Sequence, residues 1–218
     1  MTRTLDRLVH FDERSRAYPV RALLATPKHR SYTWRCRTWL DQGTEGACVG
    51  FSWAHEAAAR PAETKVVTGD AIALYHRARR LDPWPGENYD GTAVIAGAKA
   101  FVEAGYAAEY RWAFGLTDLR LTLGRIGPAI LGVNWYDGMF DTDPNGMLRV
   151  RGDVAGGHAI LATAVAERQR LIRVHNSWGP SWGRDGDAWI SFDDMARLLH
   201  EDGEACVAVK RRTVRSTS

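Results

Sequence analysis

Helical periodicity comes first along this chain and strand alternation follows. The alanine-rich stretch after Gly46 predicts a helix over residues 48–60, ended by Pro61. GDAIALYHRARR predicts a second over 70–80, and LDPWPGENYDG a loop after it. Further helices are expected over 92–103, ended by Gly105, and over 117–125. After Gly127 the pattern changes. PAILGVNWY (128–136), GMLRVRG (146–152), HAILATAVAE (158–167), RLIRVHNSW (170–178) and DAWISF (187–192) read as strands. Residues 1–35 are irregular and polar, an extended arm. Helices followed by strands imply an α+β protein with a helical lobe and a sheet-rich lobe. The change near residue 127 marks the boundary, and a cleft between lobes is a common place for a catalytic site.

Charge and cysteine usage narrow the classes. The 29 Lys and Arg against 26 Asp and Glu leave a net charge of +3, too balanced to argue for a nucleic-acid partner. The local run Lys210, Arg211, Arg212 and Arg215 reads as a solvated basic tail, with 211–218 outside the domain. No apolar run approaches the roughly 20 residues of a membrane span. MTRTLDRLVHFDERSR lacks the pattern of a signal peptide. Cys36, Cys48 and Cys206 cannot all pair, and their spacing fits neither a disulfide framework nor a zinc site. A reducing compartment and a cytoplasmic location are expected.

The segment DQGTEGACVGFSWAHEAAA puts Cys48 at the start of the first helix. Free N–H groups and aligned peptide dipoles at that end favour a thiolate and lower its pKa. Gly46 and Ala47 leave room for a carbonyl to approach. The bland alternative is a small buried side chain. A thiol nucleophile needs a base. His55 is seven residues further along the helix, about 10 Å at 1.5 Å per residue, and too far. His10, His29, His76 and His200 sit in polar surroundings. His158 follows Gly156 and Gly157 and opens an apolar strand, where its ring needs a partner. A satisfied core histidine is the alternative there. In RLIRVHNSW, alternation sends Asn176 inward with Ile172 and Val174, and His175 outward with Leu171 and Arg173. A buried amide must be hydrogen-bonded, and an imidazole would serve. Trp178 and Trp182, in NSWGPSWG, could cover that bond; otherwise the motif is a glycine-rich turn with two packing tryptophans.

Three blocks in this order, DQGTEGACVGFS, GGHAILATAV and VHNSWGPSWGRDGDAWI, resemble the papain-like cysteine peptidases, in the style of bacterial and phage members. ENYDGTAVIAGAKAFVEAGY and GPAILGVNWYDGMF are weaker counterparts. The resemblance covers about residues 36–210, with a helical lobe over 36–127 and a β-barrel-like, sheet-rich lobe over 128–210. It implies a thiol hydrolase acting on a peptide or protein, with Cys48 as nucleophile, His158 as base and acid, and Asn176 as its orienting partner. Gln42 would donate to an oxyanion hole shared with the Cys48 N–H. Gly91, between Asp90 and Thr92, would pair with the substrate main chain. Ala159 and Gly91 would line the pocket for a substrate side chain. Trp178 would shield the His158–Asn176 bond, and Trp182 would line the leaving-group side. No cofactor, metal, membrane or nucleic acid is expected.

Departures from the family pattern are specific. Val49 replaces a usual aromatic residue, Glu45 a disulfide cysteine, and Gly157 a common acidic residue before the histidine. The spacing from Cys48 to His158 is shorter than the roughly 130–150 residues of papain-type enzymes, which suggests trimmed loops. The stretch before Cys48 leaves little room for an inhibitory prodomain, so residues 1–30 are either a structural arm or a small latch. An amidase, a peptide ligase, a dedicated processing enzyme, or a catalytically silent binding domain are the rival readings.

Overall fold

The computed structural model describes residues 3–24, 28–86 and 89–213. In chain order its elements are α1 (Glu13–Arg16), a 3-10 turn (Val20–Leu23), β1 (Tyr32–Thr33), α2 (Cys48–Ala58), α3 (Thr68–Arg79), α4 (Val94–Glu103), β2 (Glu109–Trp112), α5 (Gly115–Arg125), β3 (Ala129–Tyr136), a second 3-10 turn (Asp137–Met139), β4 (Val154–Ala166), β5 (Leu171–His175), β6 (Asp187–Ser191), α6 (Phe192–His200) and β7 (Glu204–Val209).

The fold is α+β around an antiparallel sheet. The strands run in the order β2-β7-β3-β4-β5-β6, and β1 also pairs with β4. The ends β2 and β6 do not pair among the described residues, so the sheet is open and the barrel-like closure expected from sequence does not form. Alternation along the strands explains the architecture. Ile130, Leu161, Cys206 and Ala208 join a cluster with Val49, Phe51, Ala54 and Ile95 of α2 and α4. Their neighbours Leu131, Ile160, Ala162 and Val207 point the other way, into a cluster with Leu119, Leu123 and Leu198 of α5 and α6. Both faces are covered, which is why strands such as AILGVNWY are nearly all apolar.

Three features differ from the sequence pattern. Residues 146–152 form only a bridge, Met147 to Trp189, instead of a strand. β2 lies before Gly127 and pairs with β7, far along the chain, a pairing that a four-residue segment does not announce. His175 is buried, not outward. The sheet face expected to meet solvent is packed by the 36–40 segment and by His55 of α2. His175 Nε2 bonds the Thr38 carbonyl at 2.9 Å, and the His55 ring meets it edge-on at 4.5 Å.

Of the basic run, Arg211 turns inward, while Lys210 and Arg212 stay exposed. Arg211 reaches Glu56 on α2 at 2.5 Å, with side-chain exposures of 5% and 1%. Residues 214–218, including Arg215, lie outside the described residues.

Candidate active site

Cys48 is the first residue of α2 and is fully buried. The preceding loop is held from two sides. Asp41 accepts from the Gly43 N–H at 2.9 Å, with Gly43 in the left-handed region at φ +58. The Gln42 N–H donates to the Ser177 carbonyl at 2.9 Å. That second bond ties the loop before Cys48 to the NSW segment after β5. It also sets the side chain of Gln42, whose Oε1 accepts from Ser177 Oγ at 2.6 Å while its Nε2 donates to Glu45 O at 2.9 Å.

His158 lies on β4 opposite Val133 of β3, fully buried. Its Nε2 is 2.9 Å from Asn176 Oδ1. The same oxygen accepts from the Ser177 N–H at 2.8 Å, which fixes it as the acceptor end of the amide. The imidazole therefore carries its proton on Nε2, and Nδ1 presents a lone pair with no partner among the described residues. Trp178 stacks on the ring at 4.8 Å, and Trp135 meets it edge-on at 4.8 Å. Trp182 packs on Trp178 at 5.7 Å and donates to the Phe140 carbonyl at 2.8 Å. Beside Trp178 a cavity of about 670 Å³ opens, lined by Arg3, Asp41, Thr44, Phe140 and Ser181.

Electrostatics here run against the sequence expectation of a lowered thiol pKa. Burial pushes Cys48 up to about 11, although N–H groups of Ala159, Asp6 and Val49 on the sulfur pull it down. Burial likewise takes His158 down to about 4, opposed by its bond to Asn176. The helix terminus supplies its donors, but the absence of solvent outweighs them. In this conformation the thiol and imidazole are both neutral near pH 7.

The arm is what covers them. Arg7 N–H donates to the Gly157 carbonyl at 2.9 Å, Leu8 N–H to the Thr92 carbonyl at 3.0 Å, and Thr92 N–H to the Asp6 carbonyl at 3.2 Å. The Thr4 carbonyl lies 3.4 Å from Gln42 Nε2. Main-chain pairing at this edge thus comes from Thr92. Gly91, at φ +87, gives its own N–H to Tyr75 Oη at 3.0 Å, and a Cβ there would fall 1.9 Å from the Asp6 carbonyl. Asp90 is exposed, and its charge joins burial in raising the Asp6 carboxyl. Ala159 is buried beside Cys48. The predicted residues therefore lie in one neighbourhood, with Gly91 against the arm, Asp90 exposed and Trp182 packed on Trp178. Sequence reading missed Thr92, Trp135, Ser177 and Glu204. Only Glu204 carried a signal, as an acidic residue heading the apolar run EACVAV.

Among the described residues no group of three His, Cys, Asp or Glu is placed to hold a metal ion, and no helix is long and apolar enough to cross a membrane.

The fold is that of the papain-like cysteine proteases. Xylellain, a cysteine protease from Xylella fastidiosa, superposes with a TM-score of 0.71 at 19% identity, over 97% of this chain and 96% of that one. A Carica candamarcensis cysteine protease solved in complex with E-64 gives 0.61 at 17% identity, over 84% and 99%. Digestive procathepsin L 3 from Tenebrio molitor larval midgut gives 0.61 at 16%, over 85% and 71%. No protein-family model matches the sequence, and the search of curated proteins gave no match.

Proposed function

We propose that the chain is a cysteine peptidase that hydrolyses peptide bonds through Cys48, His158 and Asn176. The observation that carries this reading is the buried His158–Asn176 hydrogen bond, on the strand beside a cysteine that begins a helix. A core histidine with a purely packing role would have both ring nitrogens satisfied, whereas Nδ1 here has no partner among the described residues.

The steps follow from these groups. Nδ1 of His158 takes the Cys48 proton, and the sulfur adds to a peptide carbonyl carbon. The resulting oxyanion accepts from the Cys48 N–H and from Gln42 Nε2. His158 returns the proton to the departing amine as the C–N bond breaks, leaving a thioester. Water, deprotonated by His158, then adds to the thioester, and the products are a carboxylate and the free thiol. Asn176 keeps the Nε2 proton in place, so Nδ1 faces the sulfur in each step. Trp178 keeps water from competing for the Asn176 oxygen.

Mass spectrometry of a peptide mixture incubated with the full chain tests the reading. Paired new carboxyl and amino termini, absent with Cys48→Ala and His158→Ala, are expected. Joined peptides in place of cleaved ones would assign the same groups to a ligase. No product from the wild type or from any variant with a loosened arm would point to a binding domain.

A further inference from the structure

A second thiol stands beside a second imidazole, and neither takes part in the chemistry at Cys48. His175 ends β5 and pairs in register with Asp187 at the start of β6. Its Nδ1 lies 2.8 Å from Asp187 Oδ1, and its Nε2 lies 2.9 Å from the Thr38 carbonyl. A carboxylate and a carbonyl only accept, so both ring nitrogens carry protons and the ring is an imidazolium. His55, edge-on to it at 4.5 Å, is neutral instead. Its Nε2 accepts from the Leu40 N–H at 3.0 Å, and burial, then the His175 charge, hold its pKa well below the usual value. The His175 cation has only a shared counter-charge. Its side chain is 1% exposed, and Arg173 Nε stands 3.7 Å from the other oxygen of Asp187. Two cations thus meet one carboxylate, an arrangement that burial makes costly. Cys36 is the further group at this ring able to carry negative charge. Its Sγ stands 3.5 Å from the Thr38 carbonyl, the oxygen that His175 also bonds, and 3.6 Å from the His55 carbonyl. Against burial, hydrogen bonds to Asp187 and then to Cys36 raise the His175 pKa.

A positive neighbour favours the anionic sulfur that acts as nucleophile, and partial exposure admits a small reagent. Cys36 has both, whereas Cys48 and Cys206 are fully buried. We propose that Cys36 is a second reactive thiol of this chain, a site of oxidation by hydrogen peroxide that the His175–Asp187 pair prepares. The thiol proton passes to solvent, and the sulfur attacks one peroxide oxygen. The S–O bond forms as the O–O bond breaks, and the leaving hydroxide takes up a proton to become water. Cys36 is thereby oxidised by two electrons to a sulfenic acid. With Cys48 and Cys206 buried, a low-molecular-weight thiol from solution resolves it. That thiol's sulfur bonds to the Cys36 sulfur, the S–O bond breaks, water leaves, and a mixed disulfide remains. The proposal is independent of the peptidase reading, because neither Cys48 nor His158 takes part.

The test uses the full chain carrying Cys48→Ala, which removes the rival thiol. Hydrogen peroxide is added with excess dimedone, which traps a sulfenic acid. The adduct is followed by intact mass and placed by peptide mapping. The proposal expects one adduct, at Cys36, forming about tenfold or more faster in the folded protein than in the same chain unfolded in urea at the same pH. A partly buried thiol with no activating neighbour reacts more slowly when folded. A folded rate equal to or below the unfolded one would therefore overturn the proposal, as would an adduct at Cys206 with none at Cys36. Asp187→Asn and His175→Asn should each lower the folded rate about tenfold. Unchanged rates in both variants, with native circular dichroism, would overturn it too; if either fails to fold, the folded-to-unfolded comparison decides. Glutathione in place of dimedone should give the mixed disulfide at Cys36, and its absence would strike the second step.

Discussion

Ser177 Oγ donates a 2.6 Å hydrogen bond to Gln42 Oε1, while the Glu45 carbonyl, which can only accept, fixes the other end of the amide as the donor. The Gln42 Nε2 group then faces Glu45 O and the Thr4 carbonyl of the arm. When the arm leaves, a donor is freed where an oxyanion would form. Gln42→Ala should lower kcat by about 10²–10³, the usual cost of one oxyanion donor. Ser177→Ala should lower kcat less, with KM little changed. Neither should slow alkylation of Cys48, which forms no oxyanion. Steady-state kinetics beside alkylation rates check this, and equal losses in both readouts would place Gln42 elsewhere in the mechanism.

Asn176→Ala removes the one acceptor that His158 Nε2 has among the described residues. A buried polar group left without its partner costs about 1–3 kcal/mol, a factor of roughly 5 to 150 in rate if it acts in the transition state. The imidazole is also freed to adopt the other tautomer. Peptide hydrolysis should fall by that factor while the folded protein persists, as circular dichroism would report.

His175 supplies a pH signature. Burial opposes its charge, but hydrogen bonds and charge at Asp187 and Cys36 outweigh burial and push its pKa up to about 10. Asp187 Oδ1 lies 2.8 Å from Nδ1. The folded pKa exceeds the unfolded value near 6.5, so the folded state binds the extra proton. Its stabilising effect is complete below about pH 6.5 and is lost as pH rises toward about 10. His158 has the opposite sign, since its pKa falls to about 4. Its stabilising effect is present above about pH 6.5 and is lost as pH drops toward 4. Thermal melts from pH 6.5 to 10 should show a falling midpoint that flattens in Asp187→Asn. An unchanged slope in that variant would contradict the assignment.

Arg211 tests how the end of the chain is held. Its guanidinium meets Glu56 and the carbonyls of Ile126 and Pro128. Arg211→Ala leaves Glu56 buried and unpaired, and should destabilise the fold by about 3–5 kcal/mol in a denaturant titration. Glu56→Gln with Arg211→Met should recover part of that loss. A change within about 0.5 kcal/mol for the single variant would mean that this part of the run is a solvated tail.

Much of the arrangement around Cys48 and His158 was legible because it places unusual residues at the starts of regular elements. A cysteine starting a helix, a histidine leading an apolar strand and an inward asparagine before tryptophan each carry their own physical oddity. α2, α3 and α4 were legible for similar reasons, through alanine-rich periodicity and breakers such as Pro61. What was hidden depends on contacts far apart in sequence. The burial of His175 depends on the 36–40 segment, which no strand alternation can reveal. The high thiol pKa depends on burial, since a helix terminus lowers a pKa only where solvent or a counter-charge supports the anion. Glu204 headed an apolar run, but Arg7 looked like an ordinary charged residue, and only the folded arm puts one against the other. The strand expected over 146–152 failed because alternation in GMLRVRG also suits a connection that meets β6 through one bridge, Met147 to Trp189.

The most direct test of the account is the rate of Cys48 modification by an epoxysuccinyl trap, read by intact mass from pH 4 to 9. Wild type, Arg7→Ala, His158→Ala, and the double variant would be compared. The account predicts slow labelling of the wild type and at least tenfold faster labelling of Arg7→Ala. That faster rate should persist well below pH 8 and be lost when His158 is also replaced. Labelling of Arg7→Ala that rises only near the ordinary thiol pKa, about 8.5, and ignores His158 would contradict it.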